Sequence, residues 1–197
     1  NRQLAGALAM AMLPRGSNQM DRQQIADEIT RLKIRGGLTQ FETTRARLPE
    51  ALALAAQLLS TPSFPPSEFE ELRREYLITL QTQLDSPDEL SGDALSTHFN
   101  RYPPGDPRYH ASLTERIEQL RSVTLDEVIR YQHDLVGTAR GEIAIVGDFD
   151  EQVIDEQLQR LFSAYRSRSP YQRLDREFHP VAPQRIVIDT PDKENAF

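Results

Sequence analysis

The sequence predicts an α+β fold in which helices pack on a sheet. Apolar residues recur at helical spacing through most of the 197-residue chain, and short β-branched runs bounded by glycine or turn residues are few. Because three short strands could not cover so many amphipathic helices, a layer of helices on a larger sheet is the natural architecture. We expect its missing first strands to precede Asn1 in the parent sequence.

The chain opens with an Ala-rich apolar stretch, residues 4–13, that stops at Pro14 and Gly16. The Ala-rich helical spacing and the absence of an initiator Met favour a helix cut from the middle of a larger protein over a signal peptide. The second helix is predicted to start at Asp21, an N-cap with Gln24 three residues later.

Later helices are predicted from caps, prolines and apolar stripes. Pro49 is typical of a first helical turn, and a long helix after the proline-rich break at 62–66 runs to about Asp85. The charged face of this long helix is interpreted as solvated surface. Caps or capping boxes are predicted at the starts of three helices, at Ser67 with Glu70, at Thr124 with Glu127, and at Asp150.

Strands are predicted at residues 142–148 and 186–189, with a weaker alternation at 37–44. From these elements we expect three parts of the chain. Residues 1–165 form an α/β domain that lacks its first strands, residues 166–183 form a linker, and residues 184–197 form the start of the next domain or a last strand.

Composition excludes several classes of function. The chain has no Cys, which removes disulfides, cysteine-based metal sites and thiol nucleophiles. With 23 basic and 30 acidic side chains the net charge is -7, which argues against nucleic acid as a partner, because nucleic-acid binding needs a basic face. No apolar run approaches the roughly 20 residues of a membrane span, so no membrane partner is expected.

No catalytic set is apparent in the sequence. The H-x-x-E-H and H-E-x-x-H zinc motifs, the P-loop and the nucleophile elbow are all missing. The acidic clusters at 68–75 and 85–93 are interpreted as solvated helix faces. The four histidines are interpreted as surface or capping residues; they are His98, His110, His133 and His179.

The order of the segments resembles one known family. The set comprises Arg15-Gly16-Ser17, residues 61–70, Asp85-Ser86-Pro87, residues 102–109, residues 123–128 and residues 144–150. In this order they resemble the pitrilysin/insulinase superfamily of inverzincin zinc proteases, which includes the mitochondrial processing peptidases. The resemblance covers residues 4–165 and implies that family's metallohydrolase fold, with helices on one face of a mostly antiparallel sheet, here truncated at the N-terminus.

The resemblance also locates the family's zinc positions in this chain. Counting back from Arg15, the two histidines of H-x-x-E-H fall on Ala7 and Ala11 and the glutamate falls on Met10. The third zinc ligand, a glutamate in the family, falls near Thr79. Because zinc needs lone-pair donors and the general base needs a carboxylate, the resemblance implies a degenerate domain without metal. We expect no catalytic residue, no metal site and no cofactor in this chain.

The resemblance leaves three functional hypotheses. In the first, the chain is a non-catalytic, second-half domain of a bacterial zinc metalloendopeptidase. It then closes the peptide-binding chamber, packs on the catalytic half of the same polypeptide, and leaves zinc to that half. In the second it is purely a scaffold derived from the same fold, and in the third a small-molecule enzyme whose site is hidden among the helices.

Two further expectations follow. The isolated chain should self-associate through an exposed sheet edge, because unpaired edges invite pairing. A periplasmic location is expected, with the cytoplasm as the alternative. The peptide substrate and its cleavage specificity stay open, and the family's substrate-gripping Arg/Tyr pair would fall beyond Phe197.

Overall fold

The computed structural model describes residues 2–138, 141–175 and 177–190, and within them the chain is mostly helical. The helices are α1 (Arg2–Met12), α2 (Arg22–Arg31), α3 (Leu48–Ser60), α4 (Pro66–Leu84), α5 (Pro87–Phe99), α6 (Leu113–Ser122), α7 (Leu125–Leu135) and α8 (Glu151–Phe162). Short 3-10 turns lie at Leu13–Arg15 and Arg45–Arg47. In the described part of the chain, no helix is long and apolar enough to cross a membrane.

Three of the predicted helix starts are confirmed by their hydrogen bonds. The Asp21 carboxylate accepts from the Gln24 backbone N–H at 2.9 Å, and the Gln24 side chain accepts from the Asp21 N–H at 3.0 Å. Thr124 makes the equivalent reciprocal box with Glu127. The Asp150 carboxylate accepts from the backbone of the third residue of α8. These side chains satisfy amide donors that a helix leaves free in its first turn.

The capping box predicted at Ser67 is wrong. Helix α4 begins two residues earlier than predicted, at Pro66, and its N-cap is Pro65, which makes no side-chain cap. Proline suits the first helical position because its φ is already helical and its missing N–H would be unpaired there. Ser67 therefore lies inside the first turn, beyond the position from which it could cap.

The main core lies between α1, α4, α6 and α7. Leu8 and Met12 of α1 are fully buried, as are Leu120 of α6 and Val128 of α7. The Ala- and Gly-rich sequence of α1 permits close packing on α7, since a Cβ at Gly6 would lie 2.5 Å from Cζ of Tyr131. Small residues here bring two helices together, so the apolar opening of the chain is a core helix.

A second, smaller core lies under a β-hairpin. Strands β1 (Arg35–Gly36) and β2 (Phe41–Glu42) pair antiparallel, with Arg35 opposite Glu42. The hairpin covers buried side chains of α2 and α3, while α8 packs on another side of α3. The weak strand alternation predicted at 37–44 therefore becomes the turn and second strand of this hairpin.

The strands predicted at 142–148 and 186–189 are not formed within the described residues. Val146 is 98% and Val187 76% exposed, and neither segment shows a backbone hydrogen bond to another described segment. A strand needs a neighbour to pair its N–H and C=O groups, and β-branched residues express a fit to a sheet rather than a preference of the isolated backbone. The mostly helical fold with a small antiparallel sheet is established, while a larger sheet stays a prediction.

Candidate functional site

The positions that the zinc motif would occupy lie along one face of α1. Ala7, Met10 and Ala11 are spaced by three and four residues, which places them on the same side of the helix. Ala7 is exposed, and Met10 and Ala11 are half-buried. Two methyl groups and a thioether provide neither imidazole nor carboxylate, so this face does not fit a zinc ion.

The fourth position lies on the neighbouring helix. Thr79 is exposed on α4, and its hydroxyl donates a hydrogen bond to the Glu75 carbonyl oxygen at 3.0 Å. Helix α4 packs against α1, so the four positions lie on two helices in contact. Their correspondence to the family's zinc ligands stays a prediction. Among residues 2–138, 141–175 and 177–190, no group of three acidic, His or Cys side chains could hold a metal ion.

Close to this face, two arginines pair with three glutamates on the acidic side of α4. Arg15 follows α1 and is 8% exposed; its guanidinium contacts Glu75 at 2.6 Å and Glu68 at 3.2 Å. Arg22 of α2 bridges Glu68 at 3.1 Å and Glu71 at 2.9 Å. This arginine–glutamate network joins the turn after α1 to α2 and α4.

The network shifts the pKa values of two of its members. The hydrogen bond from Arg22 lowers the pKa of Glu71, and the same bond raises the pKa of Arg22. The side chains of Glu71 and Glu75 are 45% and 46% exposed, so the face is solvated as predicted, and the structure adds the arginines that pair with it. The glutamates' spacing of three and four residues was visible in the sequence, but the arginines that pair with them lie about 50 positions away in the chain.

Two of the histidines make separate contacts with different partners. His110 contacts the Asp93 carboxylate at 3.1 Å, and the same carboxylate accepts from the Leu113 N–H at the start of α6. His98 lies 3.1 Å from the Ala182 carbonyl oxygen. The partners of these two histidines are a carboxylate and a backbone carbonyl oxygen, neither of which is a nucleophile that a histidine would activate.

The comparisons with known proteins agree with this picture. Residues 122–197 match the family described as Peptidase M16 inactive domain. The fold is similar to the crystal structure of a peptidase M16 inactive domain from Pseudomonas fluorescens, with a TM-score of 0.70 and 19% sequence identity. That match covers 88% of this chain and 43% of the other, so this chain spans less than half the length of that structure. No curated protein matches the sequence significantly.

Proposed function

We propose a role for the whole chain, starting from the match of residues 122–197 to the family described as Peptidase M16 inactive domain. That match and the similar fold of the Pseudomonas fluorescens inactive domain confirm the resemblance to the pitrilysin/insulinase superfamily. The proposed role is that of a non-catalytic domain of a zinc metalloendopeptidase, which packs on the catalytic half of its parent and closes the chamber around a peptide. The observation that supports the proposal is the α1 face of Ala7, Met10 and Ala11, which has no zinc-binding group at the positions where the resemblance would place the family's motif.

The exposed apolar segments support a role in packing against other parts of a parent protein. In the segment 142–148, Ile143 is 53% and Val146 98% exposed. In the segment 186–189, Val187 is 76% exposed. Exposed β-branched residues on unpaired backbone favour pairing with another extended chain. In the proposed parent these segments complete the larger sheet on which the helices lie.

Zinc titration followed by calorimetry tests the degenerate motif directly. The wild-type chain should bind no stoichiometric zinc. The combined substitutions Ala7→His, Met10→Glu, Ala11→His and Thr79→Glu should create one zinc site, because they restore two imidazoles and a carboxylate on the adjacent helices. The same variant without Thr79→Glu is the matched control and should bind more weakly. Tight binding by the wild-type chain would overturn the proposal.

Complementation tests the proposed role in the chamber. The catalytic half of the parent, expressed alone, should cleave unfolded peptides poorly and should gain activity when this chain is added. Full activity of the catalytic half alone would contradict chamber closure. A parent without H-x-x-E-H would instead support the purely structural alternative.

We also propose self-association of the isolated chain and a periplasmic parent. Unpaired backbone at 142–148 is the surface that a second copy would pair with. Light scattering should show a mass that rises with concentration, and a monomer across a broad range would contradict it. Fractionation of cells that express the parent tests its location, since recovery in the cytoplasm would contradict export.

A further inference from the structure

A cavity of about 160 Å³ lies at the C-terminal end of α7. Its walls are the end of α3, the last turn of α7 and residues 165–168, which follow α8. The cavity lies away from the α1 face described above and shares no residue with it. Among its lining residues, Gln132 is the buried polar side chain.

Gln132 is 2% exposed and has one unsatisfied atom. Its Nε2 donates to the Leu59 carbonyl oxygen at 2.8 Å and to the Tyr165 hydroxyl oxygen at 2.9 Å. Because a carbonyl oxygen can only accept, the nitrogen must face Leu59, which leaves Oε1 as the free atom. Among the described residues, Oε1 receives no hydrogen bond. A buried acceptor without a donor is rare and calls for a ligand or water that supplies one.

The other polar side chains that line the cavity are those of Ser60, His133, Tyr165, Arg166 and Arg168, two of which are arginines. Arg166 and Arg168 line it, and within the described part of the chain neither forms an ion pair with an acidic side chain. Burial raises the pKa of Tyr165 to about 12. Its hydroxyl therefore stays protonated at neutral pH and keeps a hydrogen to donate, since its oxygen accepts from Gln132.

The segment that carries the arginines is held firmly against α7. A Cβ at Gly137 would lie 2.1 Å from the Ser167 backbone nitrogen, so the two backbones are in direct contact. The Arg168 N–H donates to the His133 carbonyl oxygen at 3.4 Å, and the Ser169 N–H donates to the Asp134 carbonyl oxygen at 2.8 Å. These bonds partly offset the negative charge at the C-terminal end of the helix, which disfavours an anion nearby.

We propose that this cavity binds a carboxylate that carries a neighbouring N–H donor, the chemistry of a peptide C-terminus. The carboxylate accepts from Arg166, Arg168 and the Tyr165 hydroxyl, and the adjacent N–H donates to Gln132 Oε1. Arginine forks are suited to carboxylates because they offer paired donors in one plane. The volume suits a terminal residue rather than a folded partner. This inference rests on the cavity alone and is independent of the proposed chamber role.

Three small probes separate the two halves of the proposed ligand. N-acetylglycine has both the carboxylate and the neighbouring N–H, N-acetylglycinamide lacks the charge, and acetate lacks the N–H. In a two-dimensional NMR titration of the full chain, N-acetylglycine should bind about tenfold more tightly than either other probe, since each lost bond to a charged or buried group has that effect. Shifts should centre on Gln132 and residues 165–168.

Variants decide whether the cavity is the site. The double substitution Arg166→Gln with Arg168→Gln should weaken N-acetylglycine about tenfold or more. Arg173→Gln, at an arginine that is 83% exposed and outside the cavity, should leave it unchanged. Gly137→Ala should weaken binding by displacing the segment, with circular dichroism to confirm the fold. Equal binding of N-acetylglycine and its amide, no binding of N-acetylglycine, or unchanged affinity in the double variant would overturn the proposal.

Discussion

The N-terminal and C-terminal parts of the molecule differ in how their backbone N–H and C=O groups find hydrogen-bond partners. Across residues 2–138, helices satisfy their own N–H and C=O groups and bury Leu8, Met12 and Val128 between them. Among the described residues of 141–190, α8 is the only regular element, and the segment 142–148 forms no strand and exposes Ile143 and Val146 to solvent. The comparison shows that a helix completes its hydrogen bonds locally, while a strand waits for a partner.

Amide hydrogen exchange should give the largest contrast between the two regions. Amides of 143–147 should exchange within about tenfold of the unprotected rate, whereas those inside α7 should be slowed by about a thousandfold or more. Equal protection of the two sets of amides would contradict the proposed difference between the two regions. Protection of 143–147 that grows with protein concentration would instead support the proposed self-association.

Truncating a side chain should lower the free energy of unfolding much more in the helical region than in the segment 142–148. Leu8→Ala should lower the free energy of unfolding by about 3 kcal/mol, because Leu8 is fully buried and the change leaves a cavity. Val146→Ala should change it by less than about 0.5 kcal/mol, because its side chain is 98% exposed. Urea denaturation followed by circular dichroism measures both. Similar losses would show that 142–148 is packed in solution.

Two glycines sharpen the comparison within the helical region. Gly6→Ala should be destabilising by about 1 kcal/mol, because overpacking against Tyr131 outweighs the gain in helix propensity. Gly92→Ala, in α5 with nothing within 4 Å of its added Cβ, should be stabilising by about 1 kcal/mol. Thermal unfolding of the two variants gives opposite shifts. Equal shifts would mean that α1 and α7 are not in close contact.

The smallest expected effect is on the pKa of Asp106, in an irregular loop where Arg108 forms hydrogen bonds to it. Two hydrogen bonds from the Arg108 side chain and one from its backbone N–H lower the pKa of Asp106 to about 2. A lowered folded-state pKa contributes stability above the ordinary value of about 3.9, and the contribution is lost as the pH falls towards 2. Arg108→Gln should return the titration midpoint of Asp106 towards its ordinary value, as measured by carbon NMR of the carboxylate. The exposed Arg101→Gln is the control and should leave it unchanged.

The helices were predictable because their signals are local. Asp21, Thr124 and Asp150 cap from within three residues of the amides they satisfy, so the sequence window contains the whole interaction. The cap predicted at Ser67 was wrong because Pro66, one residue earlier, is better suited to the first position of the helix. The strands failed because their stability depends on a neighbour that no window around 142–148 or 186–189 contains.

The site shows the same division between local and tertiary information. That Ala7, Met10 and Ala11 share a helix face follows from spacing alone. The pairing of Arg15 with Glu68 and Glu75 required the tertiary structure, because it joins residues more than 50 positions apart. Gln132 carries no sequence signal, since only the surrounding backbone shows that one of its two polar atoms lacks a partner.

The arginine–glutamate network has a practical consequence for handling the protein. Its cations are the guanidinium groups of Arg15 and Arg22, which are part of the chain. Unlike a bound metal ion, they cannot be removed by a chelator or lost on dilution. The junction of α1, α2 and α4 should therefore withstand EDTA. It should weaken instead as salt screens the half-exposed glutamates, which makes ionic strength, rather than metal supply, the condition to control in storage and purification.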